Sequence, residues 1–262
     1  MQNQFVSGQI AIELSGGDYT QNFDGLSKTT ISPYTSSTMP LFWSFSEAGT
    51  NQNSTYYVST GSNNAGDTYS FGSSSASDRA LGSLASDNLQ STFGAKFQNK
   101  TVASLTYFTI SYTGEQWRAG YTSSTTTRTD VLDFQYSTNA TSINDDATGV
   151  IWTDVNALDF VSVKTYNPST NTMDGNASGN RNNGIKKTIS GLTIPKDGIF
   201  FIRWVDQNIT GSDDGLAIDD FTISTTTILP VNWVSFLAKE TREGILLHWN
   251  TSNEINSNLF DV

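Results

Sequence analysis

Arg203-Trp204-Val205-Asp206-Gln207-Asn208-Ile209-Thr210-Gly211-Ser212-Asp213-Asp214-Gly215-Leu216-Ala217-Ile218-Asp219-Asp220-Phe221-Thr222-Ile223 reads as a strand, an acidic Asp/Asn/Gly loop, and a second strand with a carboxylate pair in its middle. In the second strand, period-2 alternation assigns Ala217, Asp219, Phe221 and Ile223 to one face. Phe221 and Ile223 mark that face as the one turned to the core, so Asp219 is expected to point inward with them. A carboxylate aimed inward needs a partner, because desolvating it alone costs several kcal/mol. Arg203 is the only basic residue of the run, while Asp206, Asn208 and Asp213 lie close in sequence. A hard cation with oxygen ligands, calcium first, is the economical solution. The other reading is an Asp that caps its own loop, since Asp and Asn favour turns.

Working outward, strand signals recur and helix signals are nearly absent. Residues 5–14 end in an alternation of Ile10, Ile12 and Leu14 with Gln9, Ala11 and Glu13, stopped by Gly16-Gly17-Asp18. Further strands are expected at 19–23, 55–59, 92–98, 103–113, 131–137, 185–189, 199–205 and 216–224. Gly/Ser/Asn/Thr loops separate them, among them 61–67, 122–129 and 167–184. Many strands between turn clusters point to an all-β sandwich. One short helical turn is expected around residues 80–84.

Composition narrows the function classes. At 262 residues, 36% hydrophobic and 12% aromatic, the chain can bury a core. Its formal charge of −11 argues against a nucleic-acid partner and against docking on anionic lipid. With no cysteine, disulfides, thiolate metal sites and cysteine nucleophiles are excluded. The single histidine, His248, removes most imidazole-dependent schemes. No apolar run approaches membrane-spanning length, and residues 1–14 lack the marks of an intact signal peptide. Near Thr225-Thr226-Thr227-Ile228-Leu229-Pro230-Val231 the character changes, and strands are expected at 231–240 and 244–251. The expected organisation is an extra N-terminal strand (1–18), a jelly-roll domain (19–227) and a partial immunoglobulin-like segment (228–262).

Several stretches together resemble secreted jelly-roll modules of Bacteroidetes, Verrucomicrobia and related bacteria. They are Tyr19-Thr20-Gln21-Asn22-Phe23-Asp24-Gly25-Leu26, Asp78-Arg79-Ala80-Leu81-Gly82-Ser83-Leu84, Ser111-Tyr112-Thr113-Gly114-Glu115-Gln116-Trp117-Arg118, Leu132-Asp133-Phe134-Gln135-Tyr136-Ser137, Leu158-Asp159-Phe160, Asp174-Gly175-Asn176 and the run quoted first. The architecture this implies is similar to carbohydrate-binding jelly rolls and MAM domains. There an acidic residue of the first strand and the first Asp of a late Ile-Asp-Asp strand share a structural calcium. By position these are Asp24 and Asp219; the usual carboxylate of the acidic loop falls on Asp213, and Asp214 departs from the pattern. Asp206, Asn208 and Asp213 either complete that site or form a second. The tail, through Leu229-Pro230-Val231, Phe236-Leu237-Ala238, Leu246-Leu247-His248-Trp249-Asn250-Thr251, Glu254-Ile255-Asn256 and Phe260-Asp261-Val262, resembles the opening of the C-terminal region of type IX secretion cargo. That resemblance implies an extracellular or outer-surface location on a Gram-negative bacterium, with a sorting domain expected downstream.

Glu115, Trp117 and Arg118 form the most tempting enzymatic constellation, with Asp133 or Asp159 as the second carboxylate of a glycosidase. Nothing in the spacing demands it, and a buried Glu115–Arg118 pair beside Trp117 is the structural reading. Arg79 and Arg203 are expected to stack on tryptophan or to bridge carboxylates. No serine elbow with its histidine, no phosphate loop and no His-Glu-x-x-His is present. Trp43, Tyr56, Tyr57 and Tyr121 are candidates for a sugar-stacking platform or for the core. The expectation is a non-catalytic secreted protein acting in adhesion or as a structural subunit. It would self-associate through the 5–14 strand and the C-terminal segment; the alternative is a glycan-binding module of a larger protein, and a hydrolase comes third.

Overall fold

A computed structural model describes residues 9–29, 34–124, 128–225, 233–241 and 244–251. Its strands, in chain order, are β1 (Ile12–Leu14), β2 (Asp18–Gln21), β3 (Tyr34–Thr35), β4 (Trp43–Ala48), β5 (Thr55–Ser59) and β6 (Asp67–Phe71). They continue as β7 (Ala80–Leu84), β8 (Gln90–Asn99), β9 (Leu105–Arg118), β10 (Val131–Ser137), β11 (Thr153–Asp154) and β12 (Phe160–Val161). The last are β13 (Arg181–Ile194), β14 (Ile199–Asp206), β15 (Gly215–Ser224), β16 (Trp233–Thr241) and β17 (Gly244–Thr251). The chain is all-β, a jelly-roll sandwich followed by a small C-terminal β segment, with two compact units, Met1–Thr225 and Thr226–Val262. Among the described residues no helix is long and apolar enough to cross a membrane.

The first sheet runs β1-β8-β14-β10-β11, with β4 also on β8 and β12 on β10. The second runs β13-β9-β15-β7-β6-β5-β3, with β2 also on β15. Alternating apolar residues fill the space between the sheets: Phe93, Ala95 and Phe97 of β8, Phe108, Ile110 and Tyr112 of β9, Leu132 and Phe134 of β10, Phe200, Ile202 and Trp204 of β14. Trp204 sits at the centre, stacked on Trp43 at 6.2 Å and on Phe93 at 6.0 Å, with the Phe134, Tyr112 and Phe221 rings edge-on. Each such aromatic pair adds roughly 0.5–1.5 kcal/mol beyond its buried area. A second apolar cluster, Tyr69, Phe71, Ala80, Leu84, Trp117 and Ala217, covers part of the outer face of the second sheet.

Three differences from the sequence expectation have physical causes. Residues 80–84 are a strand and not a helical turn: β7 is buried along its whole length between β6 and β15. A Cβ at Gly82 would lie 2.1 Å from the Leu216 carbonyl oxygen, so close strand pairing overrides the helical bias of Ala and Leu. Asp67, expected in a loop, opens β6, whose five residues are all buried because this sheet is covered on both faces; strict alternation is lost there. Residues 12–14, expected as part of a strand offered to a neighbour, pair in parallel with β8 of the same chain, Ile12 opposite Phe97. Ile10 is 54% exposed, and residues 1–8 lie outside those described.

The second unit is described as one antiparallel hairpin, β16 with β17, Thr241 opposite Gly244. Leu237, Ile245 and Leu246 on it are exposed.

Candidate metal centre

One edge of β15 is shared by two strands. β7 pairs with residues 216–218 and β2 with residues 221–224, so Asp219-Asp220 lies in the gap between them. On the other edge Asp219 pairs with Thr113 but Thr222 pairs with Ser111, three residues of β15 spanning two of β9. That is a bulge, with Asp220 in the left-handed region at φ 50°, which Asp tolerates better than most residues. The extra residue reverses the alternation. Leu216 and Ile218 before it, and Phe221 and Ile223 after it, all face the interior between the sheets. Ala217 belongs to the outer cluster with Trp117. Asp219 therefore points outward with Ala217, and the expectation that it shares a face with Phe221 and Ile223 is corrected. It is buried all the same, at 6% exposed.

Glu115 joins it there, because β9 also alternates: Tyr112 and Gly114 face inward, Glu115 and Trp117 outward. Glu115 is 1% exposed. Its Oε2 accepts the Trp117 Nε1–H at 2.9 Å, and its Oε1 has no partner. Burial first, then the charges of Asp78 and Asp220, push its carboxyl up to about 7, against the Trp117 hydrogen bond and the influence of Arg181. Asp219 is pushed up to about 9 by burial, then by Glu115, Asp220 and Asp78, although its Oδ1 accepts the Asp220 N–H at 2.7 Å. Asp24 stands just beyond β2, where its Oδ1 accepts the backbone N–H of Arg79 at 3.2 Å and its Oδ2 accepts the Asn22 amide at 2.6 Å. The junction thus gathers buried Glu115 and Asp219 with exposed Asp24, Asp78 and Asp220. The donor set is all carboxylate oxygen, one of them orphaned and buried, which is the chemistry a hard cation such as calcium takes; among the described residues no three of these carboxylates bring an oxygen each within 4.8 Å of the others.

Asp206 and Asp213 lie elsewhere, with Asp130 and Asp214, at an end of the sandwich interior. Asn208 is exposed on the intervening loop, its amide reaching Asp87 at 3.4 Å. Of the two alternatives the sequence left open, the separation of Asp206 and Asp213 from Asp219 matches the second. Glu115, Asp78, Asp220, Asp130 and Asp214 were not among the expected ligands. Glu115 carried a signal in its shared parity with Trp117; Asp130 carried none, since its neighbours come from distant strands.

The expected Glu115–Arg118 pair does not form. A register shift between Gly215 and Leu216 carries Arg118 past Glu115 to pair with Gly215, and Arg118 donates to the Gly61 carbonyl at 3.2 Å. The basic residue opposite Glu115 is Arg181 of β13. Asp133 alternates with the interior Leu132 and Phe134, so it lies on the outer side of the first sheet and does not face Glu115. One oxygen each from Asp133, Asp154 and Asp159 falls within 4.8 Å of the others, but all three side chains are exposed or half-buried and water can serve them. Arg203 stacks at 3.8 Å on Trp152, not on Trp204, and bridges to Asp146 at 3.2 Å. Arg79 is buried and donates to the Ser70 carbonyl and hydroxyl and the Ser73 carbonyl. Trp43 and Tyr56 are core residues, whereas Tyr57 is 37% exposed. Tyr121 carries Arg128 over its ring at 5.5 Å and accepts the Ser212 N–H.

No family model matches the sequence, and no curated protein matches it. Among solved structures the chain is similar to the enzymatically active domain of tailspike protein 4 of bacteriophage CBA120, at 13% identity and TM-score 0.34 over 70% of this chain. It spans 19% of the length of that tailspike chain. It is also similar to the K2 cleaved adhesin domain of Lys-gingipain, at 13% identity and TM-score 0.39, covering 79% of this chain and 99% of that one. A third likeness is to a carbohydrate-binding module in complex with β-1,4-galactotriose, at 8% identity and TM-score 0.27, over 56% of this chain and 70% of that one. None of the three assigns a ligand or a reaction to this chain.

Proposed function

We propose that the chain is a non-catalytic, secreted or cell-surface β-sandwich whose fold is fastened by calcium at the β2–β7–β15 junction, and that it serves adhesion or an extracellular assembly. The observation that carries the metal is Glu115 Oε1, buried without a partner beside Asp219, Asp78 and Asp220. A general acid must reach its substrate. Glu115 is covered and tied to Trp117, which supports a structural role over a catalytic one. Asp219, Glu115, Asp24, Asp78 and Asp220 would hold the ion, which neutralises them and ties the ends of β2 and β7 to the bulge. Leu237 and Leu246, exposed on one face of the β16–β17 hairpin, supply an apolar surface for contact with copies of the chain.

Thermal unfolding with calcium and with EDTA tests the first part: calcium should raise the melting temperature, and Asp219→Asn should lose part of that rise. Identical melting curves in calcium and EDTA would sink it. Light scattering at high protein concentration tests assembly, and a strictly monomeric protein refutes it. Glycan binding is the second reading, favoured by the polar outer face of the first sheet, where Asp133, Gln135, Arg203 and Gln207 are linked by hydrogen bonds. Retention on immobilised oligosaccharides, lost in Gln207→Ala, would select it.

A further inference from the structure

We propose a second cation site, at the end of the sandwich interior, in which Asp206, Asp130 and Asp213 hold a hard divalent cation and tie the 207–214 loop to both sheets. On β14, Phe200, Ile202, Trp204 and Asp206 follow one another at period 2, and the first three line the main core. Asp206 continues that inward row. It is completely buried, and neither of its carboxylate oxygens has a hydrogen-bond partner. The Ser83 hydroxyl of β7, its polar neighbour, also lacks a bond of normal geometry. Buried polar atoms are almost always paired, and an ionised carboxylate with both oxygens bare is the costliest exception.

The surrounding groups explain what is missing. Asp214 is saturated: Oδ1 accepts the Gly120 N–H at 2.6 Å and Oδ2 the Gln116 amide at 3.0 Å. Asp130 accepts the Asp214 N–H through Oδ2, and Asp213 accepts the Ile209 N–H at 2.9 Å through Oδ1, which leaves each a second oxygen. Burial, and then their mutual charge, pushes Asp130 up to about 7 and Asp206 well above the carboxylate range. The nearby cations are Arg128, which faces Asp130 and Asp213, and Arg118, which faces Asp214; Asp87 adds a further negative charge. Among the described residues neither arginine forms an ion pair with this group. Oxygen donors without nitrogen or sulfur select calcium or magnesium, and calcium accepts the irregular geometry of a loop. Only Asp133, Asp154 and Asp159 present three carboxylate oxygens within 4.8 Å among the described residues. At the Asp206 end the free oxygens of Asp130 and Asp213 would turn towards Asp206 on binding, with Ser83 Oγ as a neutral oxygen donor beside it.

This site stands apart from the bulge: Asp206 faces the interior between the sheets, Asp219 the outer face of one of them. Calcium bound per chain, measured by equilibrium dialysis on the full chain at neutral pH, separates the two. The expected values are about two equivalents for wild type and about one each for Asp206→Asn and Asp219→Asn. Asp213→Asn serves if Asp206→Asn does not fold, with the same loss expected. One equivalent in wild type, kept in Asp219→Asn and lost in Asp206→Asn, upholds this site and removes the one at the bulge. Undiminished stoichiometry in Asp206→Asn and Asp213→Asn, or no calcium left in Asp219→Asn, overturns the proposal.

Discussion

Asp206 closes β14 and Asp219 interrupts β15. Both are buried in a chain of net charge −11, yet they reach their positions by opposite means. Asp206 obeys its strand: it is the fourth member of an inward row and carries a charge to where the three before it carry rings. Asp219 stands where its strand breaks: it keeps the outward face of Ala217 while the bulge at Asp220 turns Phe221 back to the core, and it is 6% exposed on the face that Trp117 and its neighbours cover. The first site is reached through a closed interior, the second through the exposed Asp24, Asp78 and Asp220. Burial without a partner, and not proximity of acids, is what distinguishes both from the Asp133 group on the surface.

The largest effect should come from removing calcium. A ligand at a hundredfold excess over its Kd adds about 2.7 kcal/mol per site, which for a domain of this size is roughly 5–10 °C. Fluorimetric melting in EDTA should therefore show a drop near twice that if both sites fill, and half of it in Asp219→Asn. Trp204→Ala, which empties the centre of the core next to the Asp206 end, should cost about 3–5 kcal/mol in urea unfolding. A loss below about 1 kcal/mol would mean that the aromatic cluster is not the main scaffold.

The metal-free protein should also respond to pH. Burial raises Asp219 to about 9, Glu115, Asp130 and Asp67 to about 7, and Asp214 to about 6, against roughly 4 in the unfolded chain. Between those values the native state binds more protons than the unfolded one, so stability falls as pH rises from about 4 towards 9. Melting in EDTA should be higher at pH 5 than at pH 8. In saturating calcium the slope should shrink to the share of Asp67, which Glu47 raises further, and of Asp214, since these two belong to neither ligand set. An unchanged slope would mean that calcium does not neutralise these carboxylates.

A smaller effect should separate the sites. A Cβ at Gly175 would lie 2.3 Å from Trp117 Nε1, the atom that holds Glu115. Gly175→Ala should weaken calcium at the bulge by roughly tenfold, about 1.4 kcal/mol, and leave the Asp206 equivalent intact in calorimetric titration. Equal weakening of both would show that the sites are coupled. Asp154→Asn should be the mildest: with its side chain exposed, it should leave calcium stoichiometry unchanged and stability within about 0.5 kcal/mol.

Much of the strand pattern was legible because alternation is a local property: β5, β10 and β17 begin and end where the sequence places them. β6 and β7 were not, since burial on both faces erases the period that marks a half-buried strand. In the sequence, Asp206, Asp213 and Asp219 mark the acidic loop as a candidate cation-binding segment. Whether they form one group or two is left open there, because one extra residue at Asp220 reverses every side chain that follows. Glu115 shows the same limit. Its parity with Trp117 is written in the chain, but the sequence does not say that Asp78 arrives beside it from the loop before β7, and Asp219 and Asp220 from β15. Composition, charge and period by themselves determined an acidic, cysteine-free, all-β protein with Asp219 as a carboxylate to satisfy. Which carboxylates meet, and on which side of a sheet, was decided by strand pairing across more than a hundred residues, information that no local window of sequence contains.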